Sequence, residues 1–151
     1  NFMNWIYRDK EILSKDDFPE GTYGFVYKIT HTPSGKSYLG KKVLIHNKKT
    51  KLTKKDLLMY EGVQGRKPTY KIVQKDSNWK SYYGSNKPLL ELVQTESFEN
   101  FKREILILCT TKKQLTYYET QALFTYRVLE EDNKWFNDNI LGKFFRKDFE
   151  K

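Results

Sequence analysis

The chain has one cysteine, Cys109, and two histidines, His31 and His46. A single cysteine excludes an intramolecular disulfide and any Cys-rich zinc site. Two histidines leave little for an imidazole-based metal centre. Any metal then falls to carboxylates, which favour a hard ion such as Mg2+ or Mn2+. Both scarcities suit a reducing cytoplasm. Long apolar runs are missing too: mean hydropathy is −0.80, and nothing approaches the ~18 residues that a spanning helix needs. The segment from Asn1 to Lys10 has no signal-peptide pattern. There is no internal repeat and no low-complexity linker. The 151 residues are therefore expected to form a single domain with a modest core.

Aromatic residues and positive charge are abundant. Aromatics make up 16% of the chain, with 11 Tyr and 10 Phe, and the net charge is +9. That balance points to a polyanionic partner. Between Lys41 and Lys55 there are seven lysines and no acid, and Arg66, Lys67, Lys71 and Lys75 extend the run. Acids gather elsewhere, at Asp16-Asp17, at Glu96 and Glu99, and from Glu130 to Asp132. A lysine run alone is equally a solvated loop. Interleaved Tyr60, Tyr70, Trp79, Tyr82 and Tyr83 favour a nucleic-acid surface, because lysines hold phosphates while rings pack on sugars or bases. The binding residues expected are Lys41, Lys48, Lys49, Lys51, Lys54, Lys55, Arg66, Lys67 and Lys71.

Asn1 to Gly21 reads as a lead-in that packs Phe2, Trp5, Ile6 and Ile12 onto the domain, ending at a turn-rich break. Tyr23 to Thr30 and Lys36 to Leu44 read as strands joined by Thr32-Pro33-Ser34-Gly35. Pro33 excludes a two-residue primed turn, which needs positive φ. A four-residue loop pairs His31 with Lys36, and hence Tyr27 with Gly40 and Ile29 with Tyr38. Tyr27, Tyr38, Gly40 and Lys42 then share one face. A three-residue loop would separate the tyrosines. Residues 45 to 80 are basic and weakly periodic, with one helical stretch near Lys54 to Tyr60. Lys87 to Gln94 reads as a helix that Ser85 or Asn86 would cap, and Phe101 to Cys109 as an apolar third strand. Thr111-Lys112-Lys113-Gln114 is a capping-box pattern opening a longer helix, whose stripe is Leu115, Tyr118, Ala122, Tyr126 and Leu129.

Glu119 interrupts that stripe, where an unpaired carboxylate is costly. It either snorkels out, pairs with a lysine, or holds a cation. Tyr27 and Tyr38 are either packing residues or hydroxyl donors. A phenol of pKa about 10 is a poor base unless a neighbouring cation favours the phenolate. Lys42, four residues after Tyr38 on the same face, is the neighbour expected to do so.

Phe25-Val26-Tyr27, Tyr38-Leu39-Gly40, Lys41-Lys42, Glu119 and Asn137 occur in the order of a known family. The chain resembles the GIY-YIG nucleases, whose namesake tripeptides stand here as FVY and YLG. YKITHTPSGKSYLGKK, WKSYYGSNK and FKREIL look most like small free-standing members encoded by bacteriophages, with restriction enzymes next. No C-terminal DNA-recognition region is expected. The resemblance implies an α+β fold with a small antiparallel three-stranded sheet flanked by helices, and metal-dependent hydrolysis of DNA, with RNA left open. Glu119 would hold the Mg2+ or Mn2+ and Tyr27 would orient or deprotonate a water. Tyr38 and Tyr83 would bind phosphate oxygens, with Lys42 and either Lys80 or Arg66 stabilising the transition state. Asn137, with Asn139 as the alternative, would fix the site. The family's arginine followed four residues later by His or Tyr is matched only by Arg66 and Tyr70, and Pro68 opposes a regular helix between them. One active site per chain implies a homodimer or two successive nicks for double-strand cleavage. The competing readings are a non-catalytic nucleic-acid-binding module on the same fold, and a basic protein that binds an acidic partner and has no use for Glu119.

Overall fold

The computed structural model describes residues 2–131 and 133–150. Asp132, counted above among the acids, lies outside them. In chain order the strands are β1 (Trp5–Tyr7), β2 (Lys10–Ile12), β3 (Gly24–His31), β4 (Lys36–Val43), β5 (Ile45–Lys51), β6 (Tyr70–Asp76), β7 (Phe101–Cys109), β8 (Asn139–Ile140) and β9 (Phe144–Phe145). The helices are α1 (Lys54–Leu58), α2 (Lys87–Thr95) and α3 (Lys112–Thr125), with short 3-10 turns between elements. The chain divides into two compact units, Asn1–Leu44 with Asn78–Lys151, and Ile45–Ser77.

The larger unit is built on a five-stranded sheet of order β2-β1-β7-β3-β4. The expected antiparallel trio is present as β7-β3-β4, but it is only part of a mixed sheet. β1 joins β7 in parallel, and β2 folds back on β1. The lead-in is thus strand rather than cover. Its turn puts Arg8 and Asp9 at φ 49° and 67°, a primed hairpin turn without the Asn-Gly or Asp-Gly that normally advertises one.

Strands β3 and β4 pair as the four-residue loop requires: His31 faces Lys36, Ile29 faces Tyr38, and Tyr27 faces Gly40. Gly35, at φ +73°, closes the loop by donating its N–H to the His31 carbonyl at 2.8 Å. Between Val26 and Tyr27 the register against β7 slips. Val26 faces Ile107 and Tyr27 faces Ile105, so Leu106 is the extra residue of a bulge. Bulges kink a strand and re-aim its side chains, and this one sits beside Tyr27.

Helix α3 covers one sheet face. Its Leu115, Ala122 and Leu123 pack on Val26 and Leu39, with Val128, Leu129, Trp135 and Ile140 closing the core. Tyr118 and Tyr126 of the expected stripe are exposed instead. Thr111 caps the helix by accepting from the Gln114 N–H at 3.1 Å. The box is only half made, because the Gln114 side-chain oxygen accepts from the Thr110 N–H at 3.0 Å rather than reaching back to Thr111. On the other face Trp5, Phe18, Phe25, Tyr27 and Trp79 form an aromatic cluster. Burying rings of this size contributes on the order of 2–3 kcal/mol each.

The smaller unit is a two-stranded antiparallel ribbon, β5 with β6, paired from Ile45↔Asp76 to Lys51↔Tyr70. α1 lies in the connection, capped by Thr53 and Asp56. The helix falls within the stretch expected from sequence. The ribbon was not foreseen, because β5 past Ile45 is lysine and polar residues throughout and only β6 carries apolar side chains, at Tyr70, Ile72 and Val73.

Candidate active site

Tyr27 and Tyr38 lie on the same sheet face, with ring centroids 6.3 Å apart. Gly40 makes this arrangement possible. A Cβ there would stand 2.5 Å from the Tyr27 hydroxyl and 3.0 Å from Tyr38 Cε2. Gly84 approaches from the other side, where a Cβ would lie 3.2 Å from the same hydroxyl and 3.4 Å from the Tyr38 ring, at a φ of +89° that side chains rarely adopt. Two glycines therefore wall in the Tyr27 hydroxyl. Tyr27 itself is 1% exposed, so it stands behind the site rather than on its surface.

The surface is a cleft of about 570 Å³ whose lining includes Tyr38, Ser85, Asn86, Glu119 and Asn137. Ser85 lies beside Tyr38 and favours its phenolate, and Glu119 reaches the cleft from α3. The Glu119 carboxylate helps raise the pKa of both tyrosines. All three groups thus belong to one electrostatic environment, although only Tyr38 and Glu119 face solvent there.

Burial, with the neighbouring Tyr82 and Tyr38 hydroxyls, pushes the Tyr27 phenol well above its ordinary value. Tyr38 is also raised by burial, partly offset by the neighbouring Ser85. The expectation that Lys42 would favour a phenolate is not met. Lys42 donates to the Asn78 side-chain oxygen at 2.6 Å and lies 4.0 Å over the ring of Tyr82. Its own ammonium is lowered by burial. Both tyrosines are therefore neutral donors near pH 7. Glu119 is raised by burial, and Lys41 opposes this from 3.9 Å.

Asn137 is 4% exposed and clamps the free edge of β4. Its Oδ1 accepts from the Leu39 N–H at 3.0 Å, while its Nδ2 donates to the Leu39 carbonyl at 2.9 Å. Side-chain amides satisfy a strand edge in this way because they repeat the peptide's donor and acceptor. Leu39 lies between Tyr38 and Gly40, so the clamp fixes the second tripeptide. Asn139 does different work, accepting from the Gly142 N–H at 3.0 Å in the β8–β9 turn.

The loop residues are rearranged relative to expectation. Tyr83 is buried, its hydroxyl accepting from the Met3 N–H at 3.2 Å and its ring stacked on Phe98 at 5.4 Å. The neighbour at the tyrosine pair is Tyr82, edge-on to Tyr27 at 6.0 Å, and its hydroxyl helps raise the Tyr27 pKa. Adjacent residues of an extended segment point opposite ways, and nothing in Tyr82-Tyr83 says which one turns inward. Arg103, buried on β7, holds this loop by donating to the Tyr82 carbonyl at 2.8 Å and to the Met3 carbonyl. Lys80 is exposed on a 3-10 turn. Arg66 and Lys67 are exposed in the β5–β6 connection, and Lys71 is paired with Asp56 at 2.7 Å. Asn86 rather than Ser85 caps α2, accepting from the Leu89 N–H at 3.0 Å.

A family model described as "Putative endonuclease segE, GIY-YIG domain" matches residues 5–140. The chain belongs to the GIY-YIG nuclease family. The match opens at β1, so the two N-terminal strands are part of the family domain, and it spans the ribbon. Comparisons with curated proteins and with solved structures return no significant match. GIY-YIG enzymes are endonucleases that act on nucleic acid and generally depend on a divalent metal.

Whether these residues fit a metal turns on Glu119. Among the described residues no three His, Cys, Asp or Glu side chains gather to cage an ion. A closed nitrogen or sulfur site is therefore ruled out for them. Glu119 is a partly desolvated carboxylate in a polar cleft, with one cation at 3.9 Å. That suits a hydrated hard ion, which needs one or two carboxylates and takes its other ligands from water and phosphate. Among the described residues, no helix is long and apolar enough to cross a membrane.

Proposed function

We propose that this protein is a divalent-metal-dependent endonuclease that hydrolyses phosphodiester bonds in DNA, with one cation and one active site per chain. A single observation carries this reading. Tyr38 and Glu119 line one polar cleft, and the Glu119 charge bears on the hydroxyls of Tyr38 and the walled-in Tyr27.

Tyr38 and its Ser85 partner donate hydrogen bonds to non-bridging phosphate oxygens, where they stabilise charge that grows in the transition state. Tyr27, neutral and enclosed by Gly40 and Gly84, holds Tyr38 in place by contact. Its raised pKa argues against the base role and for the orienting one. Glu119 holds Mg2+ or Mn2+, which would supply positive charge at the scissile phosphate. Lys41 adds a second cation beside it. Lys42, resting on Tyr82, and Asn137, gripping Leu39, are positioning residues. In the reaction, water oxygen bonds to phosphorus and releases a proton to solvent, the phosphorus–oxygen bond to the leaving nucleotide breaks, and that oxygen takes up a proton from solvent.

Exposed Lys48, Lys49, Lys51, Lys54, Lys55, Arg66 and Lys67 extend the phosphate contacts, and Lys80 is a further candidate. Because the family match spans residues 45–77, we treat the chain as one catalytic domain with the ribbon inserted after β4. Double-strand cleavage would need a homodimer or two nicks. The enzyme would be phage-encoded and work in the host cytoplasm. The test is supercoiled plasmid with and without Mg2+, on wild type and Glu119→Ala. Metal-dependent nicking by wild type alone supports the reading. Tight binding without nicking would favour a non-catalytic binding module.

A further inference from the structure

The β5–β6 ribbon lacks what normally stabilises a sheet. None of its described residues from 45 to 77 is buried, and two strands without a core are marginal in water. Yet this segment holds nine of the chain's 28 lysines and arginines and only three of its 19 acids. That charge excess makes a polyanion the complementary partner for the ribbon.

Its two faces differ. Directly paired residues share a face, and every second pair returns to it. On one face lie His46↔Lys75, Lys48↔Val73 and Thr50↔Lys71, and α1 is tied to that side through Asp56–Lys71 at 2.7 Å. The other face carries Ile45↔Asp76 at its end and then three pairs that bear no acid, Asn47↔Gln74, Lys49↔Ile72 and Lys51↔Tyr70. Ile72 is 73% exposed, and Lys49 lies 4.6 Å over the Tyr70 ring.

We propose that this second face enters the major groove of duplex DNA and reads base edges. The inference rests on the DNA-nuclease reading of the cleft. A two-stranded ribbon fits the major groove, where Asn and Gln pair with adenine N6 and N7, Lys with guanine O6 and N7, and an apolar side chain with the thymine methyl. The face offers all three chemistries. Alternate pairs are about 7 Å apart along a strand, roughly two base-pair steps at about 3.4 Å each. The three pairs therefore address a site of four to five base pairs. Asn47 and Gln74 stand directly opposite each other, as two neighbouring adenines would require. An exposed isoleucine between lysines has no use in a purely phosphate-binding loop.

The test uses the full chain in chelator, so that no cleavage intervenes. Duplexes of random sequence are selected for binding at about 150 mM salt, and contacts on the winners are mapped by guanine N7 methylation interference. The selection should yield a short motif in which N7 methylation interferes. Asn47→Ala with Gln74→Ala should flatten that motif at least tenfold, while low-salt affinity stays within about threefold. Both side chains are exposed, so the fold survives, and the interference pattern needs no variant at all. A missing motif, a motif kept by the double variant, or single strands or RNA bound as tightly as duplex would each overturn the proposal. Mg2+-dependent nicking of plasmid is measured alongside. Nicking without a motif removes the ribbon's reading role only, and a motif without nicking removes only the nuclease reading.

Discussion

Gly40 and Glu119 carry the sharpest consequences of single atoms. A methyl group at position 40 would meet the Tyr27 hydroxyl at 2.5 Å and its Cζ at 2.7 Å. Because Tyr27 is enclosed, it can only push outward against Tyr38. Gly40→Ala should therefore lower stability by about 1–3 kcal/mol, the usual cost of overpacking. It should lower nicking by more than the folded fraction explains, since displacements near 1 Å misalign a site by up to ~100-fold. Thermal melting and nicking on one preparation check both. Glu119 yields a pH signature. Its carboxyl, raised above 4.5 by burial and only partly restrained by Lys41, keeps its proton to higher pH in the folded chain than in the unfolded one. Ionisation there favours unfolding, so stability is lost as pH rises through that window. Glu119→Gln, melted in chelator, should match or exceed wild type at pH 7, and its advantage should close as pH falls into the ordinary carboxylate range. A variant less stable at pH 7 would mean that Lys41 outweighs desolvation.

At the scale of elements, the β4 edge depends on a side chain from the far end of the chain. Asn137→Ala would leave the Leu39 N–H and carbonyl without their partners, at about 1–3 kcal/mol for each group stranded. Activity should fall further still, because Tyr38 and Gly40 flank that peptide. Asn137→Asp keeps the acceptor for the N–H but buries a carboxylate against the Leu39 carbonyl, so at pH 7 it should be no more stable than Asn137→Ala and should recover as the carboxyl protonates. Melting curves of the three proteins rank these outcomes. The hairpin was readable in part: Pro33 excludes a two-residue primed turn, and the choice of a four-residue loop over a three-residue one then fixes every pair up to Tyr27↔Gly40. β7 and α3 were readable from apolar runs of full length and a Thr cap. β1 and β2 were not, since three residues each carry no period and Arg8-Asp9 is an unadvertised turn. The ribbon was hidden for another reason, because only β6 carries apolar residues and its partner β5 is lysine and polar past Ile45. Tyr82 and Tyr83 show a limit at the site itself. Both are adjacent tyrosines, and tertiary packing around Arg103, 0% exposed, decides which of them turns inward.

For the whole molecule, charge and chemistry separate into two testable halves. Neutralising Lys48, Lys49, Lys51, Lys54 and Lys55 together should weaken DNA binding and flatten its salt dependence, each lost phosphate contact lowering the slope by about 0.9. Lys71 is left out of that set, because Asp56, whose carboxyl is held at about 2 chiefly by the Lys71 hydrogen bond, already engages it. An unchanged slope would assign the run to solvated surface. The chemistry depends on Glu119, and Glu119→Gln keeps its size and helix while removing the charge that would hold a cation. Wild type and variant should be compared on supercoiled plasmid in Mg2+, with folding checked by melting and DNA affinity measured on the same samples. Nicking should fall by orders of magnitude in a variant that melts no earlier and binds DNA at least as tightly. A destabilised variant that nicks at full specific activity would take Glu119 out of the site and contradict the metal-dependent nuclease.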